Sequence, residues 1–343
     1  MNLLRSTRRA ALAALVLAVV AAVVVSAAGA TSGTLYVTSN TILKEDQHGP
    51  IIINADNVTL DCAGHAVLGP GTTGISVYGR SHVTVRNCRV SGFAGGIILG
   101  QSASDVVTGN TVSDSSGYGP GGYWGVGIGV YGVTDSTFSD NVSNANDWFG
   151  FSLVHTSRVT VSRNSATNNG SIGIWVSESS GNSLNGNTAT GNKWEGFEIV
   201  NAASSNLLAG NTSTGNGSDG FQVLGLSTAN RLLGNVATGN GGDGFSVYAR
   251  GNALLGNRAC GNKTGFALRY AWQNSLTGNA AFANGIGFFV MRGSTNNEFT
   301  LNIGQGNTLV DAQDDNPAGA NSWKANSFGT SSPPGLGLGR TWN

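Results

Sequence analysis

The stretch from Asn252 to Asn274, NALLGNRACGNKTGFALRYAWQN, decides the fold. Three asparagines stand five apart, at Asn252, Asn257 and Asn262; the apolar run Gly265-Phe266-Ala267-Leu268 follows, and a short link returns to Asn274, where the pattern restarts. Read outward at one asparagine per repeat, the chain gives Asn87, Asn110, Asn141, Asn164, Asn187, Asn211, Asn235, Asn257, Asn279, Asn302 and Asn326. Their separations are 23, 31, 23, 23, 24, 24, 22, 22, 23 and 24 residues. Repetition at such a period is the mark of a solenoid, in which each repeat buries its apolar face against the next.

Asparagine tolerates the left-handed backbone of a sharp corner and hydrogen-bonds nearby backbone, so stacked asparagines suit the corners of a coil. Between corners come short strands. Two positions after the first asparagine stand Leu184, Leu208, Leu232, Leu254, Leu276 and Phe299. The third strand shows Phe197/Ile199, Phe221/Val223, Phe245/Val247, Phe266/Leu268 and Phe288/Val290. Ile97/Leu99, Ile128/Val130, Phe151/Leu153 and Ile174/Val176 extend the column back toward Val83. Alternation at period two marks strands with one face inward. The expected fold is all-β: a single-stranded right-handed parallel β-helix with about 22–24 residues per coil and a rung spacing of ~4.8 Å. Leucine-rich repeats would need an L-x-x-L-x-L signature, which is absent, and a pentapeptide coil would need about twenty residues per turn.

The composition agrees with a packed, weakly charged body. Of 343 residues, 53 are Gly and 10% are charged, against roughly 25% in an average soluble domain. Arg5, Arg8 and Arg9 precede an apolar run from Ala10 to Val25, and Ser26 to Ala30 are small. That order reads as a secretory signal over residues 1–30, cleaved after Ala30, with an uncleaved membrane anchor as the alternative. Removing it leaves 18 − 3 = 15 basic against 18 acidic side chains, a net charge of −3, which offers no basic face to nucleic acid. No second apolar run of spanning length follows, so no membrane partner is expected after cleavage. Residues 31–60 read as an N-terminal cap, 61–311 as the coils, and 312–343 as a C-terminal cap, plugged by Trp323 and Phe328, and tail.

Several segments carry a resemblance: Asp56 to Gly64 (DNVTLDCAG), Val83 to Cys88 (VTVRNC), the Gly-Asn corners, and Asn321 to Phe328 (NSWKANSF). Over roughly residues 35–330 the chain resembles the right-handed parallel β-helix repeat proteins of the pectate-lyase-like superfamily. That group includes polysaccharide lyases, glycoside hydrolases, alginate epimerases and the β-helix accessory proteins of copper delivery to nitrous oxide reductase. None of their catalytic signatures is present, the epimerase Asp-Pro-His motif included, so no catalytic residue carries over.

Cys62 and Cys88 fall about one coil apart, either bridged in an oxidising compartment or buried as two thiols. Cys260 stands alone and reads as a small buried side chain. His48, His65, His82 and His155 are scattered over different coils with no C-x-x-C pair, which argues against a transition-metal site.

One repeat is long. Eight extra residues, Tyr118 to Gly125, enter at the corner before the third strand, and loops inserted into a solenoid commonly form a binding face. Down that corner stand Tyr123 and Trp124, then Trp148, then Trp194 and Glu195, then Asp219 and Asp243. Glu195, Asp219 and Asp243 are equivalent positions 24 apart; so close a stack either splays into water, binds a cation such as calcium, or holds one proton at a raised pKa. These three are the candidate catalytic residues of a polysaccharide lyase or glycoside hydrolase. Tyr123, Trp124, Trp148, Trp175, Trp194, Glu198, Tyr248 and Arg269 are the candidate substrate-binding residues, since indole faces beside polar groups suit sugar rings. The expected partner is an extracellular polysaccharide, met by a secreted or cell-surface monomer. The competing readings are a surface or matrix protein that binds without catalysis, and a metal-delivery accessory.

Overall fold

A computed structural model describes residues 33–119, 122–123 and 125–336. The segment expected to be a signal, residues 1–30, and residues 337–343 of the tail lie outside the described residues. The chain divides into two units, up to Ser179 and from Ser180 onward. Among the described residues no helix is long and apolar enough to cross a membrane.

Each unit is built from three parallel sheets that the chain visits in turn, so every circuit closes one coil of a right-handed β-helix. In the first unit, the sheet that carries the inward aromatic and aliphatic column runs from Leu35–Val37 to Ile174–Ser177. Its register is Ile75, Ile97, Ile128, Phe151 and Ile174, one directly over the next. In the second unit the same column is Phe197, Phe221, Phe245, Phe266 and Phe288. Their rings stack nearly parallel with centroids 4.6, 4.8, 4.8 and 4.9 Å apart, all essentially buried. Burial of each such ring stabilises by about 1.5–3 kcal/mol. The last coil is closed by Trp323, stacked on Phe299 at 3.8 Å and edge-on to Phe328 at 5.7 Å.

The corners correct one detail of the sequence reading. The left-handed residue is the one before each ladder asparagine, not the asparagine itself. Gly210, Gly234 and Gly256 have φ near 60° and precede Asn211, Asn235 and Asn257. This explains the recurrent Gly-Asn pair, because glycine adopts positive φ without the Cβ penalty. The asparagine then points inward and bonds the rung below. Asn211 donates its backbone N–H and Nδ2 to Asn235 Oδ1 (both 2.9 Å) and donates Nδ2 to Leu208's neighbour Leu184 at the carbonyl oxygen (2.9 Å). Asn235 repeats the arrangement on Asn257 and on Leu208 O. In the second unit such ladders fill all three corners, as at Asn206/Asn230, Asn211/Asn235 and Asn216/Asn240.

Asn87 is not the first rung of the ladder. The residue whose N–H bonds Asn110 Oδ1 is Cys88 (2.9 Å), while Asn87 takes the left-handed position at φ 55° and donates Nδ2 to Asp61. Cys88 instead forms a disulfide with Cys62, their Cα atoms 4.8 Å apart. Cys260, expected to be buried, is partly exposed.

Candidate functional site

The site candidates gather where the chain bends into the aromatic-bearing sheet. In the second unit this bend is Glu195-Gly196-Phe197, Asp219-Gly220-Phe221 and Asp243-Gly244-Phe245. Glycine is required there: a Cβ on Gly220 would lie 2.7 Å from Gly244 O, and one on Gly244 2.8 Å from Gly265 O. The bend also turns residues three apart onto one exterior side. Asp219 and Gln222 therefore meet, with Gln222 Nε2 donating to Asp219 Oδ2 (2.7 Å).

The acid column does not splay into water. Glu195, Asp219 and Asp243 are 1%, 7% and 5% exposed. Ser218 Oγ donates to Glu195 Oε1 (3.1 Å) and Asp243 N–H to Asp219 Oδ1 (2.7 Å). Arg269, at the end of the strand one rung beyond, reaches back to pair with Asp243 Oδ2. Its guanidinium spans the rings of Tyr248 and Phe289 at 5.8 and 5.6 Å from their centroids. Asp243 Oδ1 is buried with no hydrogen-bond partner.

This crowding shifts the titrations. Burial, then the charge of Asp243 and after it that of Glu195, pushes Asp219 up to about 7, and the hydrogen bonds from Asp243 N–H and Gln222 only partly offset it. Burial lowers Arg269, but its bond to Asp243 and that carboxylate's charge outweigh the cost and raise it overall. Burial raises the Tyr248 phenol, against the opposing charge of Arg269. A carboxyl that titrates near neutrality can give or take a proton at neutral pH.

The other predicted residues fall as follows. Glu198 lies on the exterior side of its strand, in register with Gln222 and Ser246, and is fully buried. Trp194 is half-buried at the corner before Glu195. In the first unit Trp148 is half-buried, edge-on to Phe149 at 5.7 Å, and Phe149 stacks on Trp175 at 4.9 Å. Trp175 alternates with the inward Ile174 and Val176 along its strand yet is only 1% exposed. The inserted loop forms a hairpin, Tyr118–Gly119 against Gly122–Tyr123; Trp124 and the side chain of Tyr123 lie outside the described residues. Gln222 and Ser218 were not singled out as site residues from the sequence; the spacing of three across a glycine bend is the signal for Gln222. Among the described residues no group of three or more His, Cys, Asp or Glu side chains is arranged to hold a metal ion.

Comparison with known families matches the description "Right handed beta helix region" to residues 22–189 and 124–237. A second description, "Periplasmic copper-binding protein (NosD)", matches residues 199–332. Those residues contain no histidine, one cysteine (Cys260) and one methionine (Met291). Cys260 ends the strand Arg258–Cys260 and Met291 follows Ile286–Val290, on different sheets; this is not the soft, clustered donor set copper selects. Comparison with curated proteins returns no match.

Among solved structures, the A-module of the mannuronan C-5 epimerase AlgE6 of Azotobacter vinelandii is similar at 16% identity and TM-score 0.60, over 89% of this chain and 92% of that one. The AlgE4 A-module from the same organism gives 15% and 0.56, over 79% and 86%. Pectate lyase Pel9A gives 14% and 0.52, over 86% and 80%. At these identities the likeness is one of fold.

Proposed function

Because this chain belongs to the right-handed β-helix family, we propose that it is an extracytoplasmic protein that binds a polysaccharide across the acidic cleft of its second unit and modifies it there by proton transfer. The observation that carries this reading is the buried column Glu195, Asp219 and Asp243, capped by Arg269. A fold held by asparagine ladders and phenylalanine stacks has no need of three carboxylates at one corner, and their mutual repulsion is a cost. Asp219 is the proton-holding group; Arg269 pairs with Asp243 and orients it; Tyr248, under the Arg269 guanidinium, and Trp194, next to Glu195 in sequence, flank the column. The epimerases and the lyase with a similar fold act on polysaccharides by name, which supports the substrate class. The Cys62–Cys88 disulfide supports the compartment, because such bridges persist outside the reducing cytosol.

The burial of Glu195 favours a second reading, in which the cleft holds a saccharide without turnover. Screening polymers with detection of new reducing ends or unsaturated uronate products separates the two. Product formation by the wild type, reduced at least about a hundredfold in Asp219→Asn and Glu195→Gln, is the expected result. Full activity in both variants removes the assignment of the cleft, and retention without product establishes the second reading.

A further inference from the structure

Where the chain leaves the aromatic-bearing sheet of the second unit, two aromatic side chains face solvent. Tyr270 is 61% and Trp272 41% exposed. Tyr270 and Trp272 come one and three residues after Arg269, which caps the acidic column. Large exposed aromatics placed together on an otherwise well-packed protein mark contact surfaces.

Their neighbours along the stack are cationic. Arg250 forms a parallel bridge with Trp272, which puts it one rung away on the same corner. Arg292 lies one rung on the other side, two residues past Val290, which pairs with Leu268, and next to Gly293, where an added Cβ would come to 3.9 Å from the Tyr270 ring. Both guanidinium groups are exposed, and among the described residues neither has an ion pair. The order along this edge is therefore Arg250, the Tyr270/Trp272 pair, Arg292, at a rung interval of ~4.8 Å.

We propose that this edge is an anchoring surface for an acidic polysaccharide strand, separate from the cleft and adjoining it. This rests on the polysaccharide reading above and adds the charge of the polymer and where it is held. The aromatic rings offer apolar platforms to the CH faces of the sugars, and the two arginines meet carboxylate or sulfate groups on either side. An uncharged glucan would use the rings alone and leave both arginines unanswered, so the edge discriminates by charge. Attraction between exposed charges is screened, so retention at this edge weakens as salt rises.

The test is retention of the mature protein on polygalacturonate, dextran sulfate and unmodified dextran, at low and high salt. The wild type should bind the two acidic polymers and not dextran. Trp272→Ala should weaken that binding about tenfold. Arg250→Gln combined with Arg292→Gln should weaken it several-fold and flatten the salt dependence. All three positions are exposed, and the variants are compared once circular dichroism melting has verified that each is folded. Equal retention of dextran and the acidic polymers, or unchanged retention in both variants, overturns the proposal. Glu195→Gln reports on the cleft separately: loss of product formation with retention intact leaves both readings standing, whereas unchanged product formation with weakened retention in the edge variants removes the cleft and keeps the edge.

Discussion

The two units solve the same geometrical problem with different residues. In the second, left-handed corner positions are mostly glycine and the ladder positions asparagine, as in Gly234-Asn235 and Gly256-Asn257. In the first, left-handed positions hold Asp140 and Arg163, which stack one rung apart and form a bidentate ion pair at 2.7 Å. At the bend before the aromatic-bearing sheet the first unit places Phe149 and Ile172, both buried, where the second places Glu195, Asp219 and Asp243. The fold accepts apolar side chains at that bend, so the acids there are not a requirement of coiling.

The sharpest way to break the comparison is to remove a ladder rung. Asn235→Leu strands the N–H of Asn211 and the carbonyl of Leu208 and takes one donor from Asn257. Each orphaned buried group costs about 1–3 kcal/mol, so chemical denaturation should register a loss of about 3–5 kcal/mol. A loss under about 1 kcal/mol would show that the ladder is ornament.

A pH series tests the acid column. Asp219 titrates near 3.9 in the unfolded chain and near 7 when folded, so the folded state holds the extra proton between those values. Its contribution to stability is therefore greatest below about pH 4 and is lost as pH rises to 7. Asp219→Asn should remove this slope and raise the unfolding free energy at pH 8 by an amount on the order of a few kcal/mol, read by chemical denaturation, while differing little near pH 4. A wild-type slope retained in the variant would assign it to another group. The smallest effect is expected on the first unit's surface: Arg163→Ala, which frees the exposed Asp140, should leave the melting temperature within about 2 °C.

The coil was legible because a parallel stack turns a linear period into vertical columns, and Phe221, Phe245 and Phe266 lie over one another as their spacing demands. Alternation separates core from exterior, but it does not say whether the exterior is roofed. Glu198 and Trp175 alternate with the core column along their strands yet are buried, Trp175 against the stacked Phe149 ring. Nor could spacing show that Arg269 reaches back 26 residues to Asp243, because that depends on the length and direction of one side chain. The left-handed conformation belongs to the residue before the asparagine, and the recurrent Gly-Asn pairs make the two positions hard to tell apart in sequence, although Asp140, Arg163 and Leu301 also fill the first of them.

The hairpin Tyr118–Tyr123 has a further implication. Gly95 still pairs with Val126, and Ile97 with Ile128, across the 31 residues that separate them, and Ser115 N–H still bonds Asn146 just before the excursion. Each circuit closes through contacts with its neighbours on both sides of the inserted segment, so chain added at this junction escapes the registration that governs everything else. New appendages can therefore be acquired at this point without renegotiating the scaffold, which makes it the natural port for altering the outer surface while the framework stays the same.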